Sequence, residues 1–323
     1  MRKRLFNALK FVVSVGLLAL VLGRVGLRQA LATLAGADWP LLGLALALYI
    51  GGIALRALRW QALLEAQKIA VPLSRLVTLY YVGSFFNILL PTGIGGDAVR
   101  AYELAADSGS PAVALGTVLT DRAIGLLVLF LMAALVLPFS GGLLQPWIVW
   151  LVLALTAGGF GGLALFLWSE PLGRAFHRLP DPLRRLLGRP ALRQFFQSFG
   201  SYNRRSLLVA GGVSVAFNLL LIAVNILIGW GLGVRIHLGY YVVFISLISS
   251  LLVLPISVSG VGVREWGYVM LFGQVGVPAA VALSMSLAFY LVNVLSGLVG
   301  GVLYAWEGAR TLWQPGWKKD LRG

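Results

Sequence analysis

"LLPTGIGGDAVR", residues 89–100, ends an apolar run with a proline, three glycines, an aspartate and an arginine. Proline removes a backbone donor and glycine weakens a helix, so the run before Pro91 does not continue through this stretch as one helix. The surrounding chain is of membrane composition. Of its 323 residues 59% are hydrophobic and 11% charged, against about 25% charged in soluble domains. Irregular, charged backbone in such a chain belongs where it is buried in protein or lines a water-filled cavity.

Working outward from this break, apolar runs long enough to span about 30 Å of hydrocarbon lie near residues 5–23, 40–58, 112–137, 145–168, 206–229 and 278–305. Two shorter runs, 76–90 and 239–254, each end at a proline, Pro91 and Pro255. No barrel-like alternation is present, so the backbone is hidden in helices. The expected fold is all-α: a polytopic membrane protein with six full spans and two re-entrant helical hairpins in an inverted pseudo-repeat. It forms a single domain over 1–323, with a first half 1–168 containing hairpin 76–107 and a second half 206–310 containing hairpin 239–277.

Basic residues mark the cytoplasmic side. They cluster before and within the first run (Arg2, Lys3, Arg4, Lys10), at the end of the second (Arg56, Arg59, Lys68, Arg75), in the eight arginines of 169–205, and in the tail (Arg310, Lys318, Lys319, Arg322). Both termini are therefore expected inside a cytoplasmic (inner) membrane, with Arg24 and Arg28 a local exception outside. Those two arginines also argue against cleavage of the first run as a signal peptide. This assignment closes only if the runs at 76 and 239 return to the sides they entered from, one from the cytoplasm and one from outside. In the 169–205 connection Leu192, Phe195, Phe196, Phe199 and Tyr202 recur at helical spacing. That pattern fits an interfacial helix bound to anionic lipid or a solvated positive-inside loop. The net charge of +15 belongs to the membrane surface rather than to nucleic acid.

Residues 254–265, "LPISVSGVGVRE", repeat features of the opening stretch. Aligned on Pro91 and Pro255, the segments share Leu90/Leu254, Gly96/Gly260, Val99/Val263 and Arg100/Arg264. Paired Gly/Pro-interrupted segments in two halves mark substrate sites of inverted-repeat transporters. Glycine turns ahead of a helix direct backbone amides at one point, which suits phosphate. Candidate headgroup contacts are therefore Gly95, Gly96, Gly260 and Gly262, with Asp97, Arg100 and Glu103 after the first break and Arg264 and Glu265 in the second. No nucleotide loop follows.

Asp121 and Arg122 lie about ten residues into an apolar run, and intramembrane charge is a functional-site hypothesis. As adjacent helical residues they do not face each other, so partners are expected elsewhere: Arg100 for Asp121, and Asp97 for Arg122. They act as a structural clamp or as substrate contacts. Arg56 and Arg59, at i and i+3, read as snorkelling anchors that also permit phosphate binding. Asn87, Asn218, Asn225 and Asn293 interrupt apolar runs and are expected to hydrogen-bond between helices. His177 and His237 are solitary and there is no cysteine, so neither a metal site nor another cofactor is expected.

"RALRW" (56–60), "NILLPTGIGGDAVRAYEL" (87–104), "DRAIGL" (121–126) and "PISVSGVGVRE" (255–265), in this order, resemble the flippase-like transmembrane domain of lysylphosphatidylglycerol synthases over nearly the whole chain. The resemblance implies a stand-alone member without the soluble synthase domain. Its implied role is moving an anionic phospholipid or isoprenoid-type lipid between leaflets, with no enzymatic activity carried over. A non-transporting lipid-binding regulatory subunit, and a membrane enzyme acting on a lipid-linked phosphate or sugar, are the alternatives.

Overall fold

The computed structural model describes residues 14–23, 25–90, 95–140, 144–167, 202–253 and 257–312, and every regular element among them is helical. In chain order these are α1 (Ser14–Gly23), α2 (Leu27–Ala35), α3 (Trp39–Ala66), α4 (Leu73–Leu89), α5 (Gly95–Ser108) and α6 (Pro111–Val136). A 3₁₀ turn (Leu137–Ser140) precedes α7 (Pro146–Leu167). The second half contains α8 (Arg204–Gly231), α9 (Leu238–Val253), α10 (Val263–Gly273) and α11 (Ala279–Leu312).

Four of these, α3, α6, α8 and α11, are long and apolar enough to cross a membrane. The 28 residues of α3 rise about 42 Å, more than the hydrocarbon core requires. Local chemistry fixes their starts. Asp38 accepts a bond from the Leu41 amide at 3.3 Å ahead of α3, and Asn203 accepts one from the Ser206 amide at 2.8 Å ahead of α8. Pro111 opens α6, where a missing N–H costs nothing.

Among the described residues four helices, or five with one bent pair, are long and apolar enough to cross, against the six full spans expected. The first run enters a bend of 74° between α1 and α2, and this pair is at most a fifth span. Gly26, at φ 77°, sits at the bend where α-helical geometry is lost, and Arg28, expected on a short connection, lies within helix α2. In α7 the stretch Pro146–Gly162 is apolar but shorter than the spanning helices. Residues 169–201 of the expected amphipathic segment, Pro91 and Pro255 lie outside the described residues, and Arg204 and Arg205 open α8.

Close contacts give the packing directions. The Arg59–Ser214 and Gly52–Leu220 contacts run α3 antiparallel to α8. Glycines bring α4 and α11 together: a Cβ on Gly300 would stand 1.9 Å from the Tyr81 carbonyl oxygen. Such small-residue crossings let van der Waals contact hold helices where apolar surface alone supplies little drive. Exposed Leu135, Trp150, Leu208 and Val302 face outward, as expected of a surface in contact with hydrocarbon.

The short helices form two antiparallel pairs. In the first, Asn87 Oδ1 on α4 accepts from the Gly96 amide at 2.8 Å, and Gly83 packs against Gly96 and Arg100 of α5. In the second, Gly267 of α10 packs on Ile248 of α9, while Tyr241, Phe244, Tyr268 and Phe272 form an aromatic cluster between the two helices. The breaks of the two pairs meet, because the Ser259 hydroxyl donates to the Leu90 carbonyl at 3.0 Å.

Candidate functional site

Asp121, fully buried on α6, is the centre of the charge network. Its Oδ1 accepts from Arg59 Nε at 2.6 Å; its Oδ2 accepts from the Tyr80 hydroxyl and from Arg100 Nη2 at 3.3 Å. Arg100 also donates to Asp97 at 3.2 Å, and Asp97 pairs with Arg122. Both pairings expected for Asp121 and Arg122 are present. The guanidinium of Arg100 lies 3.6 Å from the Tyr80 ring centroid and 4.1 Å from that of Trp60, a cation–π cradle for a charge removed from water.

Arg59 overturns its reading as a snorkelling anchor. It is 4% exposed and reaches inward to Asp121 and to Ser214 Oγ at 3.3 Å. Gly125, one turn beyond Asp121, makes the space: a Cβ there would lie 2.6 Å from Arg59 Nη1. The Gly125 carbonyl accepts from Asn218 at 3.1 Å, so acid, gap and brace come from a single turn of α6.

In the second break Ser259, Gly260 and Gly262 take positive φ (50°, 78° and 82°), a left-handed path that costs Ser259 some strain. Glu265 Oε2 accepts from the Gly262 amide at 2.7 Å and Oε1 pairs with Arg264. Arg264 also donates to Ser286 at 3.2 Å and lies over the Tyr290 ring. All four asparagines bond between helices: Asn87 and Asn218 as above, Asn225 with Tyr268, and Asn293 with Tyr49 at 2.6 Å.

Between the two helix pairs lies a cavity of about 340 Å³. Arg56, Arg59, Arg122 and Arg264 line it, with Asn87, Ser259, Gly260 and Ser296, and no described carboxylate forms part of its wall. Asp97, Asp121 and Glu265 stand behind this wall and pair with Arg122, Arg59 and Arg264, and Arg100 lies behind it between Asp97 and Asp121. Four further candidate contacts lie elsewhere. Gly96 is spent on helix packing, since a Cβ there would lie 1.9 Å from the Gly83 carbonyl oxygen. The Gly262 amide is taken by Glu265, and its Cα faces Ser14 of α1. Glu103 pairs with Arg75 at 2.9 Å, partly exposed and off the cavity. Gly95 is buried at the start of α5 but does not line the cavity either.

Residues 7–301 match the family described as the lysylphosphatidylglycerol synthase TM region. The chain belongs to this family. It is also similar to a UPF0104 membrane protein of Pyrococcus horikoshii, 26% identical over 91% of this chain and 95% of the relative. The family match covers both helix pairs and every residue of the charge network, so this member's polar centre lies within the shared region.

Sequence reading missed Trp60, Tyr80, Tyr290 and Ser296, which cradle arginines or line the cavity. A signal for Ser296 exists: Phe289, Asn293 and Ser296 fall on one face of α11, and all three line the cavity. Because both partners are partly exposed, Glu103→Gln is expected to lower unfolding free energy by less than about 1 kcal/mol. Thermal unfolding in detergent checks this, and a large loss contradicts the placement of Glu103 outside the site.

Proposed function

We propose that this multi-pass membrane protein translocates an anionic lipid between leaflets, the headgroup passing through the arginine-lined cavity where the two helix pairs meet. One observation carries the reading: four arginines converge on a space between two broken helix pairs whose described wall offers no carboxylate. A cationic cavity inside a membrane protein attracts an anionic headgroup, and fixed arginines replace part of its hydration. In this reading α4–α5 and α9–α10 are re-entrant hairpins from opposite leaflets, related as an inverted repeat, in an inner membrane with both termini cytoplasmic. At the low end of the roughly 300–1,000 Å³ typical of ligand sites, the cavity suits a headgroup while acyl chains stay in the bilayer.

Passage requires the Ser259–Leu90 contact to open. The chain has no cysteine, so Leu90→Cys with Ser259→Cys gives a clean crosslink. In proteoliposomes carrying labelled anionic phospholipid, oxidation of this variant is expected to stop protein-dependent leaflet exchange and reduction to restore it. Exchange that continues through the crosslink, or wild-type protein that retains lipid without exchanging it, sinks the proposal; the second outcome is that of a lipid-binding subunit.

A further inference from the structure

The four arginines of the cavity wall are not equivalent. Arg59 is bonded to Asp121, Arg122 to Asp97 and Arg264 to Glu265, and drawing any of these towards a ligand breaks a pair removed from bulk water. Arg56 is held differently. Its guanidinium carbon lies 4.7 Å from the Tyr80 ring centroid and 5.4 Å from that of Phe217, and among the described residues it makes neither an ion pair nor a hydrogen bond. Ring faces hold a guanidinium without engaging a carboxylate, so its N–H fork stays available to an acceptor inside the cavity that it lines. Tyr80 is in turn anchored through its hydroxyl to Asp121, so the buried network positions Arg56 without pairing with it. A second, independent feature is Ser296. It is 1% exposed, lines the same cavity, and its hydroxyl has no hydrogen-bond partner. A buried hydroxyl left without a partner is costly, and a bound acceptor removes that cost. The two features lie within about one turn of each other along α4: Arg56 sits over Tyr80, and Gly297, beside Ser296, packs against the Ser84 carbonyl.

Building on the translocator reading, we infer that Arg56 and Ser296 together seat the headgroup phosphate, while Arg59, Arg122 and Arg264 shape the wall around it. The planar fork of Arg56 matches two phosphate oxygens, and the phosphate has further oxygens to accept from the Ser296 hydroxyl. Aromatic rings rather than an acid hold the seat, so phosphate binding breaks no ion pair at Arg56. The headgroup therefore enters and leaves without disturbing Asp121, whose bonds to Arg59 and Arg100 tie α3, α5 and α6 together.

The test uses the full-length protein in detergent micelles doped with dioleoyl phosphatidylglycerol or with dioleoylglycerol, which has the same chains and no phosphate. Retained lipid is read by native mass spectrometry, and stability by thermal unfolding without added lipid. Wild type is expected to retain the phospholipid well above dioleoylglycerol. Arg56→Gln is expected to lower phospholipid retention about tenfold, the value of one charge-assisted contact, and Ser296→Ala about threefold. Arg56→Lys is expected to restore part of the loss, and neither Arg56→Gln nor Ser296→Ala to change the melting temperature much or the retention of dioleoylglycerol. Equal phospholipid retention by wild type and either Arg56→Gln or Ser296→Ala overturns the inference, as does wild type that retains both lipids alike. An Arg56→Gln variant that melts well below wild type also overturns it, because Arg56 is then a structural residue. Retention that depends on Arg56 without leaflet exchange leaves the seat standing and removes only the translocator reading. Displacement of the phospholipid by equal glycerol 3-phosphate supports the phosphate seat and assigns it to a soluble phosphate.

Discussion

Asp121→Ala is expected to destabilise the protein by about 3–5 kcal/mol, because it strips the counter-ion from two buried arginines at once. Arg59 and Arg100 are 4% and 2% exposed, and Asp121 accepts from both. Arg100 retains Asp97, whereas Arg59 is left with the Ser214 hydroxyl, and a hydroxyl does not neutralise a guanidinium. The measurement is the detergent melting temperature together with the monodisperse fraction on size exclusion. The companion is Arg59→Leu with Asp121→Leu, which removes one charge of each sign. Replacing a buried pair by packed apolar groups is often near neutral, so the double variant is expected to recover much of the loss. A double variant no better than Asp121→Ala, or a single variant that melts like wild type, contradicts the assignment of Asp121 as the structural centre of the network.

Gly96→Ala is the second large effect. The added methyl would stand 1.9 Å from the Gly83 carbonyl oxygen and 2.7 Å from Asn87 Cγ. The first obstacle is backbone, so α4 and α5 must separate, with a cost at or above the upper end of the about 1–3 kcal/mol typical of overpacking. Separation also stretches the Asn87–Gly96 bond and draws Arg100 away from Asp121. Lowered thermal stability with or without added lipid is the expected result. A variant of wild-type stability that loses only lipid binding would instead make Gly96 a headgroup contact, as its position in the sequence first suggests.

Arg59 and Gly96 show where sequence reading stopped. Arg59, three residues after Arg56 and beside Trp60 near the end of an apolar run, has the local pattern of an interfacial anchor. Its burial depends on Asp121 sixty-two positions away and on the space at Gly125. Gly96 sits among breakers in an apparent turn, yet its environment is a facing carbonyl on α4. Asp121 and Arg122 were more legible. Adjacent opposite charges on a helix cannot satisfy each other, so partners at the first break were the economical solution, and Arg100 and Asp97 fill those places.

The sequence by itself determined the helical membrane class, the two interrupted segments, the interhelical asparagines and the need to pair every buried charge. Those follow from composition, period and the cost of placing polar groups out of water, all local properties. Only the tertiary structure decided that the two breaks touch through Ser259 and Leu90, that the first run bends after α1, and that Arg59 turns inward. It also decided which arginines line the cavity and which acids stand behind them. These outcomes depend on which helix faces which, set by glycine-sized gaps and side-chain reach across contacts of long sequence separation.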